Sequence, residues 1–331
     1  MTSKCFCARK ERHYARAYHP KNDADQRLDR FLGKAVPLLP ASLAQKYIRL
    51  KRIKVNGARA ERDYRLCEGD RLQLYLNDEF FEAPSEENVY LTIVNPRLHI
   101  IYEDENIMLL DKPAGMVVHA DEGEKVNTLV NHLLAYLYQK REWKPREENA
   151  FTPALCNRID RNTGGIVIAA KNAEALRVLN EKIRERELSK FYLCICLGRP
   201  EPPKGRIECF LRKDSKTNTV RVYHHPVPDG RSAVTLYETL ETRDCLSLVE
   251  VELLTGRTHQ IRASFCRHGP PLLGDGKYGV GSVNRRYGET QQALYSYRLR
   301  FDFPTDAGIL NYLRGREFIA DEVPFRRKYF G

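Results

Sequence analysis

Residues 156–171, CNRIDRNTGGIVIAAK, constrain the fold more than any other stretch of the chain. A polar turn carries one acid, Asp160, between Arg158 and Arg161, and two glycines then lead into an apolar run of strand length. Asp160 is therefore expected at a strand edge. An acid held between fixed positive charges is favoured in its charged form, so an anionic carboxylate is expected at neutral pH, and that state suits a nucleophile. The same residues also describe an Arg-Asp-Arg salt-bridge cluster capping a strand. The rest of the chain has to separate the two.

At 331 residues there is room for two domains, one large enough for a sizeable core. The 55 Lys and Arg against 44 Asp and Glu leave a net charge of +11, which favours polyanionic partners. No apolar run reaches the roughly 18 residues that span a bilayer, and the first residues lack the apolar core of a signal peptide. No membrane association and a cytoplasmic location are the expectation. Nine cysteines, an odd number without a C-x-x-C pair, argue against a zinc ribbon or a thioredoxin-like motif and for free thiols. Cys5 and Cys7 could bind a metal, but on an unanchored terminus they do not make a site, and no metal is expected.

Residues 1–21 hold six Lys or Arg and one acid, Glu11, which reads as a basic arm (1–12) leading into a short strand near Tyr14 to Tyr18. From Gln26, RLDRFL has helical spacing. Pro37 and Pro40 break it, and Ser42 is a good N-cap for a second helix. Residues 42–59 contain Lys46, Arg49, Lys51, Arg52, Lys54 and Arg59 and no acid, making a basic helix that ends in the turn Lys54-Val55-Asn56-Gly57. Phosphate is the natural target of such a face, with a merely solvated face as the alternative. Gly69-Asp70 is another turn, and residues 71–76 alternate as a strand. RLDRFL, SLAQKYI, KVNG and EGDRLQLYL in this order resemble the small RNA-binding domain named for ribosomal protein S-four, over residues 13–78.

An acidic stretch with a proline and no clear period follows, and 79–95 is expected to be a linker to a second domain, 96–331. Residues 99–106 and 107–115 predict two strands joined by an acidic turn. Val126, Leu129, Val130, Leu133, Leu134 and Leu137 then repeat at helical spacing, with His132 beside the stripe as a core histidine. Asn172 is placed to cap a helix running to about Arg186. The strand over 190–198 puts Tyr192, Cys194 and Cys196 on one face.

Downstream, LLTGRTHQIR brings Arg257, His259, Gln260 and Arg262 into one dense group of donors, suited to phosphate, to a carboxylate partner, or to both. Gly274, Gly276 and Gly279 imitate a dinucleotide-binding fingerprint. They follow Pro270-Pro271 rather than a secure strand, and no helical period opens after them, so that reading is rejected. No nucleotide, metal or organic cofactor is expected.

The stretches IIYEDENIMLLDKPAGMVVH, NRIDRNTGGIVIAAK, KFYLCICLG, LLTGRTHQIRASF with GPPLLGDGKYG, and ALYSYRLRFDFP resemble the RluA-type pseudouridine synthases in the family's order, over residues 90–331. The resemblance implies an α+β fold: a small α/β RNA-binding domain, then a catalytic domain on a mixed, largely antiparallel sheet with a central cleft. It implies a cofactor-free isomerisation of uridine to pseudouridine in RNA, most naturally ribosomal RNA of the large subunit. By motif position Asp160 is the nucleophile, Tyr192 the stacking tyrosine and Arg262 the partner of the aspartate. Arg158 matches the residue that fills the space left by the flipped base. Arg161, Arg257, His259 and Gln260 with Lys46, Arg49, Lys51, Arg52 and Lys54 are the expected RNA contacts of a monomer. The chain departs from the family at Asn157, Ile159 and Gly164, where His, Leu and Ser are usual, and at Tyr295, where a histidine is usual. A transfer-RNA substrate, or a non-catalytic RNA-binding or ribosome-assembly role on the same fold, are the alternatives. A carboxylate-dependent hydrolase would want a second placed acid or a metal cluster, and no spacing supplies either.

Overall fold

The computed structural model describes the backbone of Arg9–Glu11 and Tyr14–Tyr18 and, with side chains, residues 26–67, 69–82, 85, 88–145, 151–214 and 217–331. The side chains of the basic arm, Cys5 and Cys7 among them, lie outside the described residues. Two compact units result: Met1–Arg97 with Asn131–Gln139, and Leu98–Val130 with Lys140–Gly331.

In the first unit, β1 (Arg9–Glu11) and β2 (Tyr14–Tyr18) form a hairpin, followed by helices α1 (Leu28–Ala35) and α2 (Ala41–Arg49) and strands β3 (Ile53–Val55), β4 (Ala58–Arg59) and β5 (Arg71–Leu74). The sheet runs β1-β2-β5-β3-β4, with every pair antiparallel. Leu28, Phe31 and Leu32 on α1, Ala44 and Ile48 on α2, and Ile53, Val55, Leu72 and Leu74 on the strands are buried. Those spacings are three or four on the helices and two on the strands, as amphipathic elements require.

The helix of residues 42–59 is shorter than its charge run suggests. It stops at Arg49, Lys51 turns left-handed at φ 60°, and β3 and β4 take the rest. Their hairpin turns at Asn56 (φ 53°) and Gly57 (φ 81°), the expected pair. Ser42 is not the cap. Pro40 occupies that position with φ −59°, already fixed for helix entry, and no side chain caps the end.

Within residues 79–95, the described residues include two short helical turns. Single 3-10 turns at Asp78–Phe81 and Val89–Thr92 bury Phe80, Tyr90 and Leu91, and Ile93 is buried beside them. Tyr90 meets Tyr138 edge-on at 5.6 Å, and Gln139 donates to the carbonyls of Ile93 and Val94. Turns this short leave no period for the sequence to show. His132 is buried, and its Nδ1 accepts the Arg97 N–H at 3.0 Å, the core role expected of it.

Helix α3 (Leu129–Lys140) belongs mostly to the first unit, and the second unit contains β6 (Ile100–Glu103), β7 (Ile107–Lys112), β8 (Ala154–Leu155), β9 (Gly164–Ala170), α4 (Ala173–Arg184) and β10 (Leu188–Leu197). It continues through β11 (Lys204–Asp214), β12 (Thr219–Tyr223), β13 (Arg231–Arg243), β14 (Leu246–Leu253), α5 (Gln260–His268), α6 (Gly281–Tyr287), β15 (Leu294–Phe301), β16 (Glu317–Ile319) and α7 (Pro324–Phe330). Asn172 caps α4 by accepting the Ala175 N–H, as its position predicts. Among the described residues one sheet of 11 strands runs β12-β11-β13-β14-β10-β15-β9-β7-β6, with β16 on β15 and β8 on β9. Only β15 and β9 pair in parallel, so the fold is α+β on a mixed, largely antiparallel sheet, as expected.

Alternation along β10 sends its side chains into two cores. Leu193 and Ile195 join Ile166, Ile168 and α4's Ala175 and Leu179, while Tyr192, Cys194 and Cys196 join Val249, Val251 and α5's Ile261 and Phe265. Tyr192 therefore lies on the face that carries α5. No helix among the described residues is long and apolar enough to cross a membrane.

Candidate active site

Asp160 stands in the loop between β8 and β9, and that loop is fastened at several points. Asn157 accepts the Ile168 N–H at 2.8 Å, tying the loop's start to β9, and the Thr163 N–H closes a turn on the Asp160 carbonyl. The Arg161 carbonyl accepts from the Gly115 N–H and from the ammonium of Lys112, each at 2.9 Å. Lys112 is fully buried and also donates to the carbonyls of Pro113 and Met116, one acceptor for each of its three hydrogens. Burial pulls its pKa down to about 7, against the opposing charges of Asp160 and Asp111.

The carboxylate of Asp160 is one-quarter exposed, and its Oδ2 accepts from Arg262 Nη1 at 2.7 Å. Arg262 comes from the first turn of α5 and is itself buried. Its other edge makes a two-point contact with Asp275, Nε to Oδ2 at 2.7 Å and Nη2 to Oδ1 at 2.8 Å. The backbone N–H groups of Lys277 and Tyr278 complete the shell of Asp275. Burial works against both charges. For Arg262 the hydrogen bonds and charge of Asp275 and then of Asp160 outweigh it and raise the pKa, and for Asp275 the Arg262 contact and the backbone donors hold it below the carboxylate range. The guanidinium is thus a fixed cation aimed at Asp160 from a rigid socket.

Tyr192 is buried, and its hydroxyl is pushed up to about 12 by burial and by the charge of Asp160, with a hydrogen bond to Ser296 acting the other way. It is a neutral phenol at neutral pH, offering a ring face and an O–H rather than a phenolate. The three residues expected at the centre, Asp160, Tyr192 and Arg262, all belong to the second unit, and the charge of Asp160 acts on both of the others.

The expected RNA contacts sort differently. Arg158 is exposed without an acid partner among the described residues. Arg257 is half-buried, donates through Nε to the Ser232 carbonyl, and is lowered by burial and by the like charges of Arg231 and Arg186. Lys46, Arg49, Lys51 and Arg52 are exposed, and Lys54 is half-buried under Tyr75 at 5.5 Å. Three of them are engaged within the protein. Gln260 is buried, and its amide is spent on Thr255, the Arg257 N–H, the Val234 carbonyl and Thr235, so it ties the loop before α5 to β13 rather than reaching outward. Arg161 forms a two-point pair with Asp121 at 2.7 and 2.9 Å. His259 faces inward, toward Tyr278 and Asp160.

Three residues of the site, Asp275, Tyr278 and Lys112, do not stand out in the sequence. Asp275 hides inside the glycine decoy. There the glycines serve close packing, since an added Cβ at Gly274 would overlap the Gln291 carbonyl oxygen and one at Gly279 would come within 2.5 Å of the Asp275 carbonyl oxygen. A lysine closing an apolar strand before Pro113 was the available signal for Lys112.

Two departures from the family pattern are one structural unit. Gly164 lies opposite Tyr295 across the parallel β9–β15 pair, and an added Cβ would come within 2.7 Å of the Tyr295 ring at Cδ2. The Tyr295 hydroxyl donates to Asp111 Oδ1 at 2.6 Å, fixing the ring in place. Next door, Gly165 has φ 110°, and an added Cβ would overlap the Ser296 carbonyl, so only glycine fits. Gly164→Ser should cost about 1–3 kcal/mol by overpacking, and most of that should return in Gly164→Ser/Tyr295→His. Denaturant unfolding of the two variants checks this, and equal losses would show that the positions are independent.

Comparison with known proteins places these residues in context. A family described as RNA pseudouridylate synthase matches residues 106–266, and the S4 domain matches residues 26–72. The chain is 34% identical over 286 residues to an uncharacterized RNA pseudouridine synthase of Mycoplasma genitalium, covering 85% of this chain and 87% of that protein. It is 31% identical over 264 residues to the ribosomal large subunit pseudouridine synthase C of Rickettsia bellii, covering 76% and 82%. The fold is similar to that of human RNA pseudouridylate synthase domain containing 4, with a TM-score of 0.52 at 20% identity over 68% of this chain and 89% of that one.

Proposed function

Because the chain belongs to the RNA pseudouridine synthase family and so isomerises uridine in RNA, we propose that Asp160 is its nucleophile, Arg262 the cation that holds it, and Tyr192 the ring on which the uracil stacks. The observation that carries this reading is the buried, doubly anchored guanidinium of Arg262 placed 2.7 Å from a carboxylate that keeps one side open. In the proposed reaction a carboxylate oxygen of Asp160 bonds to the ribose carbon while the bond from that carbon to ring nitrogen breaks, its electron pair leaving with the uracil. The freed base turns over the Tyr192 ring and its C5 displaces the carboxylate. The C5 proton is lost and the former glycosidic nitrogen gains one, so the net change is an isomerisation with no oxidant or reductant.

A uridine inside a stem cannot meet Asp160 without leaving the stack, at a cost of a few kcal/mol that binding must offset. Arg158, exposed two positions before Asp160, is the residue we propose for the vacated space. The cluster of Arg257, Arg231 and Arg186 has the like-charge character of a phosphate site. The substrate we propose is large-subunit ribosomal RNA, supported by the name of the Rickettsia relative and by the S4 match. Mapping pseudouridines in total RNA with and without this protein tests it. Sites confined to transfer RNA would overturn the ribosomal assignment.

The exposed cations of α2 and the turn after it give a second prediction. In Lys46→Ala/Arg49→Ala/Lys51→Ala/Arg52→Ala, affinity for large structured RNA should fall and the plot of log affinity against log salt should flatten by about 0.7–0.9 for each phosphate no longer neutralised. Turnover at saturating RNA should survive, since saturation hides the loss of an anchor that lies outside the chemistry. An unchanged salt slope would mark the face as merely solvated. Substitution is the cleaner probe than deletion of residues 1–85, which would strip Asn77 and Glu79 from their hydrogen bonds with Tyr138.

A further inference from the structure

His259 enters the sequence reading as an RNA contact, yet the structure turns it inward. Its backbone is left-handed, φ 51° and ψ 21°, immediately before α5, and its side chain is 8% exposed. A non-glycine residue in that region is uncommon and is held there by its surroundings. What holds it is a chain of hydrogen bonds with a direction. The Val220 N–H, at the start of β12, donates to the Tyr278 hydroxyl oxygen at 2.7 Å, and that oxygen lies 2.8 Å from His259 Nδ1. A hydroxyl has one hydrogen to give. With the backbone donor already on its oxygen, Tyr278 is arranged to give that hydrogen to Nδ1, which then accepts and leaves the imidazole hydrogen on Nε2. Tyr278 is itself braced, its ring 5.3 Å from the Arg262 guanidinium and 5.6 Å from the His259 ring.

Nε2 faces Asp160, 3.9 Å from Oδ2. That is the oxygen to which Arg262 donates at 2.7 Å, while Oδ1 accepts no hydrogen bond among the described residues. Burial, with the charges of Arg262 and Lys277, keeps the imidazole below its ordinary pKa against the pull of Asp160 and Asp275, so it is neutral at neutral pH. We propose that His259 is a positioning residue: fixed by Tyr278 with its hydrogen on Nε2, it faces Oδ2 of Asp160 together with Arg262 and so reserves Oδ1 as the oxygen that meets the substrate. The proposal rests on Asp160 being the nucleophile. The short separations belong to Arg262, and the histidine's contribution is orientation: with Arg262 it limits the tilt of the carboxylate plane that would turn the free oxygen away from the substrate.

Two measurements test it on the full chain. Nitrogen-15 spectra of the imidazoles at pH 7.5, with the His259 signals assigned by their loss in His259→Asn, should show a bare Nδ1 and a protonated Nε2, and in Tyr278→Phe a mixture of the two neutral forms. A hydrogen on Nδ1 in the unaltered protein overturns the proposal whatever the variants do. With total RNA from cells lacking the protein as substrate, His259→Asn, which tolerates the left-handed backbone, should lower kcat about 10- to 100-fold, the scale of misplacing a reacting group by up to about an ångström, with KM within about twofold. Adding Tyr278→Phe to His259→Asn should lower kcat by no more than about another twofold, because the tyrosine acts through the histidine. A wild-type kcat with a raised KM would instead make His259 an RNA contact, and full additivity of the two changes would break the link between them. Asp160→Ala separates the premise: turnover there removes the nucleophile assignment, while the tautomer spectra stand on their own.

Discussion

Asp160→Ala is expected to lower single-turnover isomerisation by at least about 10⁴-fold, while affinity for RNA changes by less than about threefold. The asymmetry follows from where the carboxylate sits. An acid offers phosphate no favourable contact, so its removal leaves in place the cations that would hold RNA. Its removal leaves Arg262 paired with Asp275, so the fold around α5 keeps its buried charges matched. The measurement is pseudouridine formed per enzyme with enzyme in excess, alongside filter binding of the same RNA. Turnover above background in the purified variant would assign the nucleophile elsewhere.

Arg262→Ala should hurt twice. Asp275 is 1% exposed at its side chain and would be left as a buried carboxylate without its cation, a situation that costs about 3–5 kcal/mol, or roughly 8–15 °C in Tm for a unit of this size. The rate should also collapse, because Asp160 loses the one donor within hydrogen-bond distance of its Oδ2 among the described residues. The two losses can be taken apart. Arg262→Met/Asp275→Asn removes the stranded charge and should recover most of the stability, since an apolar replacement for a buried ion pair is often neutral. Activity should stay down. Recovery of both together would mean that Arg262 matters only for the fold.

What the sequence disclosed, and what it hid, divide by distance along the chain. The turn holding Asp160, the run of β9, the cap at Asn172 and the one-faced trio Tyr192, Cys194 and Cys196 are local patterns of charge, period or alternation, and each lies where expected. The Arg262 contact with Asp160 came through the family resemblance, and residues 102 apart in sequence give no local sign of it. Asp275 and Tyr278 were obscured because their stretch is rich in glycine, and the same letters that imitate a phosphate loop also serve a tight corner. The burial of Gln260 was hidden for the opposite reason. A polar side chain near a site looks available until the Val234 carbonyl and Thr235 are seen to claim it. Residues 79–95 look like a linker because their buried aromatics sit among acids without a period.

The place of β15 in the sheet carries a kinetic consequence. It lies between β10 and β9, with Tyr192 opposite Ser296 on one side and Gly165 opposite Ser296 on the other. The strand that bears Tyr192 and the strand that follows Asp160 are therefore never direct neighbours, and they come into register only through a segment made far downstream of both. A nascent chain that has emerged only through α5 has every central residue of the site, yet no strand to bridge them. Such long-range closure pays its loop entropy before any contact rewards it, so this unit should fold slowly for its size. Until β15 is in place, the edges of β9 and β10 stand open on the ribosome.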